Sequence, residues 1–174
     1  MNLACLVCFD EILSNSIKSI WSKFENQSIG KTPGQFNEDP HISIFVANED
    51  KEEEVINVIV KAKIRKVKVK LIPYGIFNGS TKVVYLNVVI SDSIQQLKNS
   101  IFNSIDSLNL KIDKHYENNE SLLHCTIAIN ILNADIPKAV EIMNTLESEY
   151  NGYIDKVQII NYFPVNKVFQ KELN

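Results

Sequence analysis

Two short segments of the sequence carry the same arrangement of a histidine and a hydroxyl side chain. A hydroxyl residue stands two positions after the histidine in both, as His41 and Ser43 in residues 40–44 and as His124 and Thr126 in residues 123–127. Residues i and i+2 of a β-strand point to the same face, so each segment would present an imidazole beside a hydroxyl, with apolar neighbours facing a core. An imidazole exchanges protons near neutral pH, and a hydroxyl can hydrogen-bond a phosphate oxygen. The four residues therefore suit acid/base chemistry on a phosphate ester.

The pairing of the two segments is what favours a functional interpretation. A single histidine in an apolar strand is more often a structural residue whose nitrogens bond to backbone, and Ser or Thr two positions away is ordinary strand composition. The chain has only three histidines, however, and two of them occupy equivalent positions in matching segments. We therefore interpret both as functional. His115 lies in a polar segment, and we expect it to be exposed and to have no catalytic role.

Hydrophobic periodicity and turn signals predict the elements that must position these residues. Strands are predicted over residues 3–9, 40–47, 67–77, 82–90, 122–131, 153–163 and 165–170, and helices over 11–26, about 50–63, 92–108 and 135–150. Asn48 or Asp50 is the expected N-cap of the second helix and Asp92 that of the third. The order strand, helix, histidine strand, helix, strand thus occurs twice, and the second copy starts near residue 82.

This repetition predicts an α+β class of fold: a duplicated two-lobed fold with antiparallel sheets forming a central cleft and helices packed outside. We expect one domain over residues 1–174, made of two pseudo-symmetric halves of about 1–79 and 80–174. At 174 residues and 45% hydrophobic composition, the chain is long enough for one well-buried core.

Composition narrows the choice of ligand and compartment. The net charge of −3 and the pI near 5.6 argue against a protein that coats long nucleic acids, whereas a small or end-bound anionic ligand fits. The start of the chain lacks a basic segment before its short apolar run, and no stretch has membrane-spanning length, so we expect a cytoplasmic protein that does not bind membranes. Cys5, Cys8 and Cys125 stand in apolar segments and should be reduced core thiols. Cys5 and Cys8 would face opposite sides of a strand, so they should not share a metal.

The paired motifs resemble those of the 2H phosphoesterase superfamily, which includes bacterial RNA 2′,3′-cyclic phosphodiesterases once named 2′-5′ RNA ligases. The resemblance extends to residues 74–77 and 83–86, which are similar to the hairpin between the halves, and to Tyr116 ahead of the second motif. The chain departs from the pattern at Ser43, where Thr is commoner, and at Leu123, where a proline is usual. Neither departure removes a catalytic group.

The resemblance implies that His41 and His124 are the acid/base pair and that Ser43 and Thr126 hold the phosphate. Opening a 2′,3′-cyclic phosphate needs a base for water and an acid for the departing ribose oxygen, and two imidazoles across a cleft can supply both. Ligation would be the reverse reaction, so no ATP is expected, and we expect no other cofactor. No metal is expected either, because two histidines without a carboxylate at chelating spacing make a poor Zn²⁺ or Mn²⁺ site. The symmetry of the motifs leaves open which histidine is the base. Cleavage or reverse ligation of 2′-5′ phosphodiester linkages and a non-catalytic nucleotide- or RNA-binding module are the alternatives.

Other residues give weaker signals. Tyr116 and Phe77 are candidates for stacking on a base, although aromatic residues at such positions are often simple packing. Lys66, Lys68 and Lys70 alternate with apolar residues, which favours a solvated strand face over an RNA track. The expected partner is an RNA end or a small nucleotide with a cyclic phosphate, and the sequence shows no sign of an obligate protein partner.

Overall fold

The computed structural model describes residues 2–48, 50–116, 122–162 and 164–174. Their strands are β1 (Asn2–Phe9), β2 (His41–Ala47), β3 (Val67–Asn78), β4 (Lys82–Val88), β5 (His124–Ile131), β6 (Tyr150–Tyr162) and β7 (Asn166–Glu172). Their α-helices are α1 (Glu11–Asn26), α2 (Glu52–Lys61), α3 (Asp92–Ile105) and α4 (Ile136–Asn144). The order β-α-β-α-β therefore occurs twice before β7.

Strand β6 joins two groups of four antiparallel strands. The hydrogen-bonded order is β2-β1-β6-β3-β4-β5, and β7 also pairs with β6. Phe9 of β1 and Val67 of β3 both pair with Ile154, so β1 and β3 lie on opposite edges of β6. One lobe thus contains β2, β1, β6 and β7, and the other contains β6, β3, β4 and β5. The predicted α+β class with two lobes of antiparallel strands is confirmed, and the shared β6 links the lobes into one continuous sheet.

The two faces of β1 show how the strands separate core from cleft. Cys5 and Val7 belong to the main hydrophobic core with the buried faces of the helices, whereas Leu6 and Cys8 belong to a small cluster with Ile160 on the other face. The prediction that Cys5 and Cys8 face opposite sides is confirmed. All three cysteines are buried free thiols.

The structure corrects three details of the predicted helices. Helix α2 begins after Lys51, so neither Asn48 nor Asp50 is its N-cap. Helix α3 is capped by Ser91 and not by Asp92, because the Ser91 Oγ accepts a hydrogen bond from the Ile94 N–H at 3.3 Å. Helix α4 ends at Asn144, before the predicted 150.

The early end of α4 has a reason in the sheet. Tyr150 pairs with Leu71 of β3, so the segment that was predicted as the last helical turn extends β6 instead. Tertiary pairing outweighs the modest helix propensity of this segment. Part of the predicted polar loop over residues 113–121 lies outside the described residues. The predicted strand end at residue 163 also lies outside them. Within the described ranges, no helix is both long and apolar enough to cross a lipid bilayer.

Candidate active site

The two histidines open equivalent strands and lie on the face opposite the core. The residues that alternate with them face the core and are at most 1% exposed: Ile42 and Ile44 of β2, and Cys125 and Ile127 of β5. Side chains alternate along a strand, so the histidine and hydroxyl residues between them point away from that core. His41 is also buried, at 9% exposure, while Ser43, His124 and Thr126 are half-buried.

Both imidazoles are held by a hydrogen bond to the backbone carbonyl two residues earlier. Nδ1 of His41 lies 2.7 Å from the carbonyl oxygen of Asp39, and Nδ1 of His124 lies 2.9 Å from that of Leu122. A carbonyl oxygen only accepts hydrogen bonds, so Nδ1 carries the proton in both rings, and Nε2 is the acceptor when the ring is neutral. Each ring therefore has Nε2 available for proton transfer.

Contacts between the lobes bring the two motifs together. The Cys125 sulfur on β5 interacts with the backbone of His41 on β2, and the charge of His124 acts on the ring of His41. The Trp21 indole on α1 donates a hydrogen bond to the Thr126 carbonyl at 3.3 Å, so a helix of the first half also fixes the second motif. These contacts join the first motif, on β2, to the second motif, on β5.

Burial sets the proton affinity of both rings. It lowers the pKa of His41, and the charge of His124 lowers it further, against the opposing effect of the Asp39 carbonyl. Burial also lowers the pKa of His124, against the Leu122 carbonyl. Both imidazoles therefore favour the neutral form more than an exposed histidine does.

An aromatic wall flanks His124. Phe77 stacks on Tyr85 with ring centroids 4.1 Å apart, and the His124 ring meets them edge-on at 4.9 Å and 5.1 Å respectively. Gly75 pairs with Tyr85 across the β3–β4 hairpin, and a Cβ at position 75 would collide with the Tyr85 ring and hydroxyl. The structure thus places the predicted Phe77 beside His124. It also places Tyr85 there, which was not among the predicted site residues. The tight turn after Asn78 sets the register that pairs Tyr85 with Gly75.

Tyr116 lies at the other motif. Its hydroxyl and that of Ser43 are hydrogen-bonded, and burial raises the pKa of Tyr116. Tyr116 was predicted as a base-stacking candidate. The structure brings its hydroxyl into contact with the hydroxyl proposed to hold phosphate, and its role in stacking stays a prediction.

A polar network anchors the loop before His41. The Asp39 carboxylate accepts hydrogen bonds from Gln158 and Lys167, each at 2.9 Å. Burial opposes ionisation of Asp39, but these bonds outweigh it, and the pKa of Asp39 lies below its ordinary value. The same residue supplies the carbonyl that orients His41, so this network fixes the imidazole indirectly.

Glu38 is the carboxyl group nearest to the ring of His41 in this loop. Its Oε2 lies 3.5 Å from Nε2 of His41, and the two side chains are 8% and 9% exposed. Burial raises the pKa of Glu38 to about 7. No sequence pattern marks Glu38, Asp39 and Gln158, because the first two stand in a loop and the third stands on β6, far from both motifs.

The remaining predicted residues lie outside this cluster. His115 is exposed, and its backbone N–H donates a hydrogen bond to the Asp113 carboxylate. Lys66 and Lys68 are exposed; Lys66 lies over the Tyr153 ring and Lys70 pairs with Glu149 at 2.8 Å. Among the described residues, His, Cys, Asp and Glu form no group of three or more that could hold a metal ion.

The fold and the paired motifs match a known family. The family model of the 2′-5′ RNA ligase superfamily matches residues 13–163, which is most of the chain. The protein therefore belongs to the 2′-5′ RNA ligase superfamily, and the resemblance to 2H phosphoesterases is confirmed. Membership in this superfamily supports a phosphoesterase that acts on RNA or nucleotides. No functionally curated protein matched the sequence.

Solved structures share the whole fold at low sequence identity. TT0787 of Thermus thermophilus has a TM-score of 0.67 at 14% identity, covering 99% of this chain and 98% of that one. E. coli LigT has a TM-score of 0.66 at 12% identity, covering 99% and 97%. LigT has also been solved with 3′-AMP and with NADP+. At such identities the likeness establishes the fold alone.

Proposed function

We propose that the protein is a metal-independent phosphoesterase that opens 2′,3′-cyclic phosphates of RNA ends or small nucleotides. The observation that carries the proposal is the repeated site geometry. Two histidines start equivalent strands, each is held through Nδ1 by the carbonyl two residues before it, and each has a hydroxyl residue two positions further on. Two rings with Nε2 available can serve one phosphate as base and acid.

The proposed reaction uses the two imidazoles in sequence. One Nε2 takes a proton from water as the water oxygen forms a bond to phosphorus. The other gives its proton to the ribose oxygen as the phosphorus–oxygen bond breaks. General acid/base catalysis of this kind contributes about 10²–10⁴-fold to rate. Negative charge grows on the phosphoryl oxygens meanwhile, and the hydroxyls of Ser43 and Thr126 are the proposed donors to them.

The rest of the nucleotide has a proposed place beside His124. Phe77 is 37% exposed and stacks on Tyr85, so one ring face can accept a base while the other is supported. Stacking tolerates any base because every base has an aromatic face. The LigT complexes with 3′-AMP and NADP+ make a nucleotide ligand reasonable for this fold. We also propose a cytoplasmic location, since buried free thiols fit a reducing compartment.

Phosphorus NMR of the purified protein tests the proposal and its alternatives together. The substrates would be 2′,3′-cyclic mononucleotides, oligonucleotides with a terminal cyclic phosphate, and 2′-5′ dinucleotides. We expect the cyclic phosphate signal to be replaced by that of a monoester. Turnover of the 2′-5′ dinucleotides alone would favour linkage cleavage, and binding without turnover of any substrate would favour a non-catalytic module.

A further inference from the structure

Basic residues are concentrated in one segment of a chain that is acidic overall. Residues 55–91 hold seven of the 18 lysines and arginines and none of the 21 aspartates and glutamates, whereas the whole chain has a net charge of −3. Six of the seven lie within residues 61–70, which lead into β3 and form its start. A local excess of positive charge attracts an anionic ligand even where the net charge of the protein is negative.

Strand register places two of these lysines on the sheet face that carries the candidate active site. His124 pairs with Asn87 of β4, and Asn87 pairs with Ile72 of β3. Directly opposite residues of antiparallel strands share a face, so Ile72 and His124 face the same way. Lys70 and Lys68 precede Ile72 by two and four residues, so they lie on that face as well.

The packing of β3 agrees with this register. Val69 and Leu71 alternate with the two lysines and are buried in the main core, at 4% and 0% exposure. Lys68 is exposed, and the side chain of Lys70 is 43% exposed. Both ammonium groups are therefore accessible to a ligand on the face opposite the core.

Lys66 and Tyr153 extend the same surface. Tyr153 of β6 pairs with Lys68, so the two share a face, and Tyr153 is 39% exposed. Lys66 precedes β3, and its Nζ lies 5.0 Å from the centre of the Tyr153 ring. We name Lys66, Lys68, Lys70 and Tyr153 the lysine face. Proteins hold single-stranded nucleic acids with this combination, because cations meet the phosphates and an aromatic ring stacks on a base.

The lysine face starts near His124 and leads away from it. At a strand spacing of about 4.8 Å and a rise of about 3.3 Å per residue, the backbone of Lys70 lies about 10 Å across and about 7 Å along the sheet from that of His124. Lys68 follows about 7 Å further along β3, a repeat similar to the spacing of successive phosphates in an extended RNA strand. Phe77, the proposed base-stacking residue, lies on β3 in the other direction from Ile72.

Glu149 contacts the lysine face and would have to leave it. Its carboxylate pairs with Lys70 at 2.8 Å, and the two side chains are 47% and 43% exposed. The same carboxylate accepts a hydrogen bond from Asn151 at 2.9 Å. An ion pair exposed to water contributes little stability, so a phosphate can replace Glu149 as the partner of Lys70.

We infer that the lysine face binds the phosphates of a single-stranded RNA whose 3′ end, with its cyclic phosphate, lies at the two histidines. This inference rests on the proposed function and narrows it to RNA ends over free nucleotides. A 2′,3′-cyclic phosphate closes the 3′ end, so the rest of the chain leaves through the 5′ oxygen and runs along β3. The alternating lysines alone favour a solvated face; their place beside the candidate site and the separation of charge along the chain favour an RNA track.

The salt dependence of binding tests the lysine face without any turnover. The probe is a fluorescent single-stranded decaribonucleotide with a 3′-phosphate, which has no ring to open, and anisotropy measures its affinity over a range of salt concentrations. With all three lysines changed to Gln, the slope of log affinity against log salt should become shallower by about two, since each phosphate contact of a single strand contributes about 0.7. The matched control removes three exposed lysines of the helices and should keep the wild-type slope: Lys23→Gln, Lys61→Gln and Lys138→Gln.

Two single variants separate stacking from charge. Tyr153→Ala should weaken binding about tenfold and leave the slope unchanged, because the ring is uncharged. Glu149→Gln should strengthen binding, because it removes the anion that competes for Lys70.

Three results of the binding experiments would overturn the inference. The first is a wild-type slope in the triple lysine variant, and the second is an equal change of slope in the control. The third is an unchanged oligonucleotide affinity in the triple lysine variant together with lost binding to vesicles of anionic phospholipid, which would assign the face to a membrane.

Kinetics separate this inference from the proposed function. The triple lysine variant should keep the wild-type kcat/KM on a 2′,3′-cyclic mononucleotide, and its KM for a decaribonucleotide ending in a cyclic phosphate should rise about tenfold. An equal loss on both substrates would contradict the inference, because the lysines would then act on the site itself. If neither substrate is turned over by the wild type, the proposed function fails, and the salt slopes still decide whether the lysine face binds RNA.

Discussion

The two histidine sites share their backbone geometry and differ in what surrounds them. Each ring is held through Nδ1 by the carbonyl two residues earlier. Around His41 the neighbours are ionisable or hydroxyl-bearing, among them Glu38 at 3.5 Å and the Asp39 network. Around His124 they are the aromatic rings of Phe77 and Tyr85. The repeated strand therefore fixes the orientation of each ring, and the residues outside the repeat give each ring different neighbours.

This difference separates two functions within one site. On the His41 side, Tyr116 is hydrogen-bonded to the hydroxyl of Ser43. On the His124 side, Phe77 and Tyr85 form an aromatic surface, on which we propose that a base stacks. Placing similar groups in unlike environments is a general way to give them different roles in catalysis.

The largest expected effect is the loss of either imidazole. We expect His41→Ala and His124→Ala each to lower kcat by about 10²–10⁴-fold. The double variant should be little worse than either single variant, because the two groups work as one unit. Turnover assays by phosphorus NMR would measure this, with His115→Ala, at an exposed position, as the control that keeps wild-type rates. Unchanged turnover in either site variant would remove that histidine from the chemistry.

The hydroxyl residues should have smaller effects. Ser43→Ala and Thr126→Val each delete one hydrogen bond to a charged phosphate, a net contribution of about 1.5–3 kcal/mol. Steady-state kinetics should show slower turnover or weaker binding with the chemistry retained. Tyr116→Phe should affect only the Ser43 side, and its effect should vanish in a Ser43→Ala background. Additive effects would mean that Tyr116 acts independently of Ser43.

Gly75 offers a way to disturb the aromatic side alone. In Gly75→Ala the new methyl group would overlap the Tyr85 ring, which must shift. The Phe77 ring stacked on Tyr85 should shift with it, so the aromatic contacts of His124 should change. Overpacking of this kind costs about 1–3 kcal/mol, measurable by denaturant unfolding. Gly79→Ala is the control, because its nearest contact is the Thr81 carbonyl at 3.2 Å in the hairpin turn. The His124 NMR signal should move in the first variant and the His41 signal should not; equal movement of both would show that the sides are not independent.

Substitution of Asp39 should have the smallest effect, a change in how the free energy of unfolding falls at acidic pH. Its pKa is lowered in the folded protein, so its contribution to stability is present above the ordinary Asp pKa and is lost as pH falls through the folded value. In Asp39→Asn the free energy of unfolding should decrease less between neutral and acidic pH than in the wild type. Denaturant titrations across that range, with Asp50→Asn at an exposed position before α2 as the control, would measure it. An unchanged acid dependence would mean that the network with Gln158 and Lys167 adds no stability.

Much of the fold follows from local patterns in the sequence. Alternation predicted which residues of β2 and β5 face the core, and Ile44 and Ile127 are buried as expected. The duplicated order of elements predicted the class of fold, because each copy supplies the strands and helices of one lobe. The end of α4 could not be predicted, since the pairing of Tyr150 with Leu71 joins residues far apart in the chain.

The candidate site divides in the same way. The His-x-hydroxyl spacing selects residues that strand geometry places on the face away from the core, and their catalytic roles stay predictions. The contacts of Glu38 and of Gln158 depend on the path of the loop before β2 and on its packing against β6, which leave no periodic signal. The sequence therefore predicts the symmetric part of the site, and the asymmetric part emerges only from tertiary packing.

The pH dependence of kcat/KM on a 2′,3′-cyclic nucleotide, measured with a chelator present, tests the two-imidazole account most directly. We predict that activity persists in EDTA and follows a bell-shaped profile, because one ring must be neutral and the other group must hold a proton. The acidic limb should fall below the usual histidine pKa whichever ring is the base, because the pKa values of both His41 and His124 are lowered. Complete loss of activity in EDTA that Zn²⁺ or Mn²⁺ restores, or a profile with a single limb, would contradict the account.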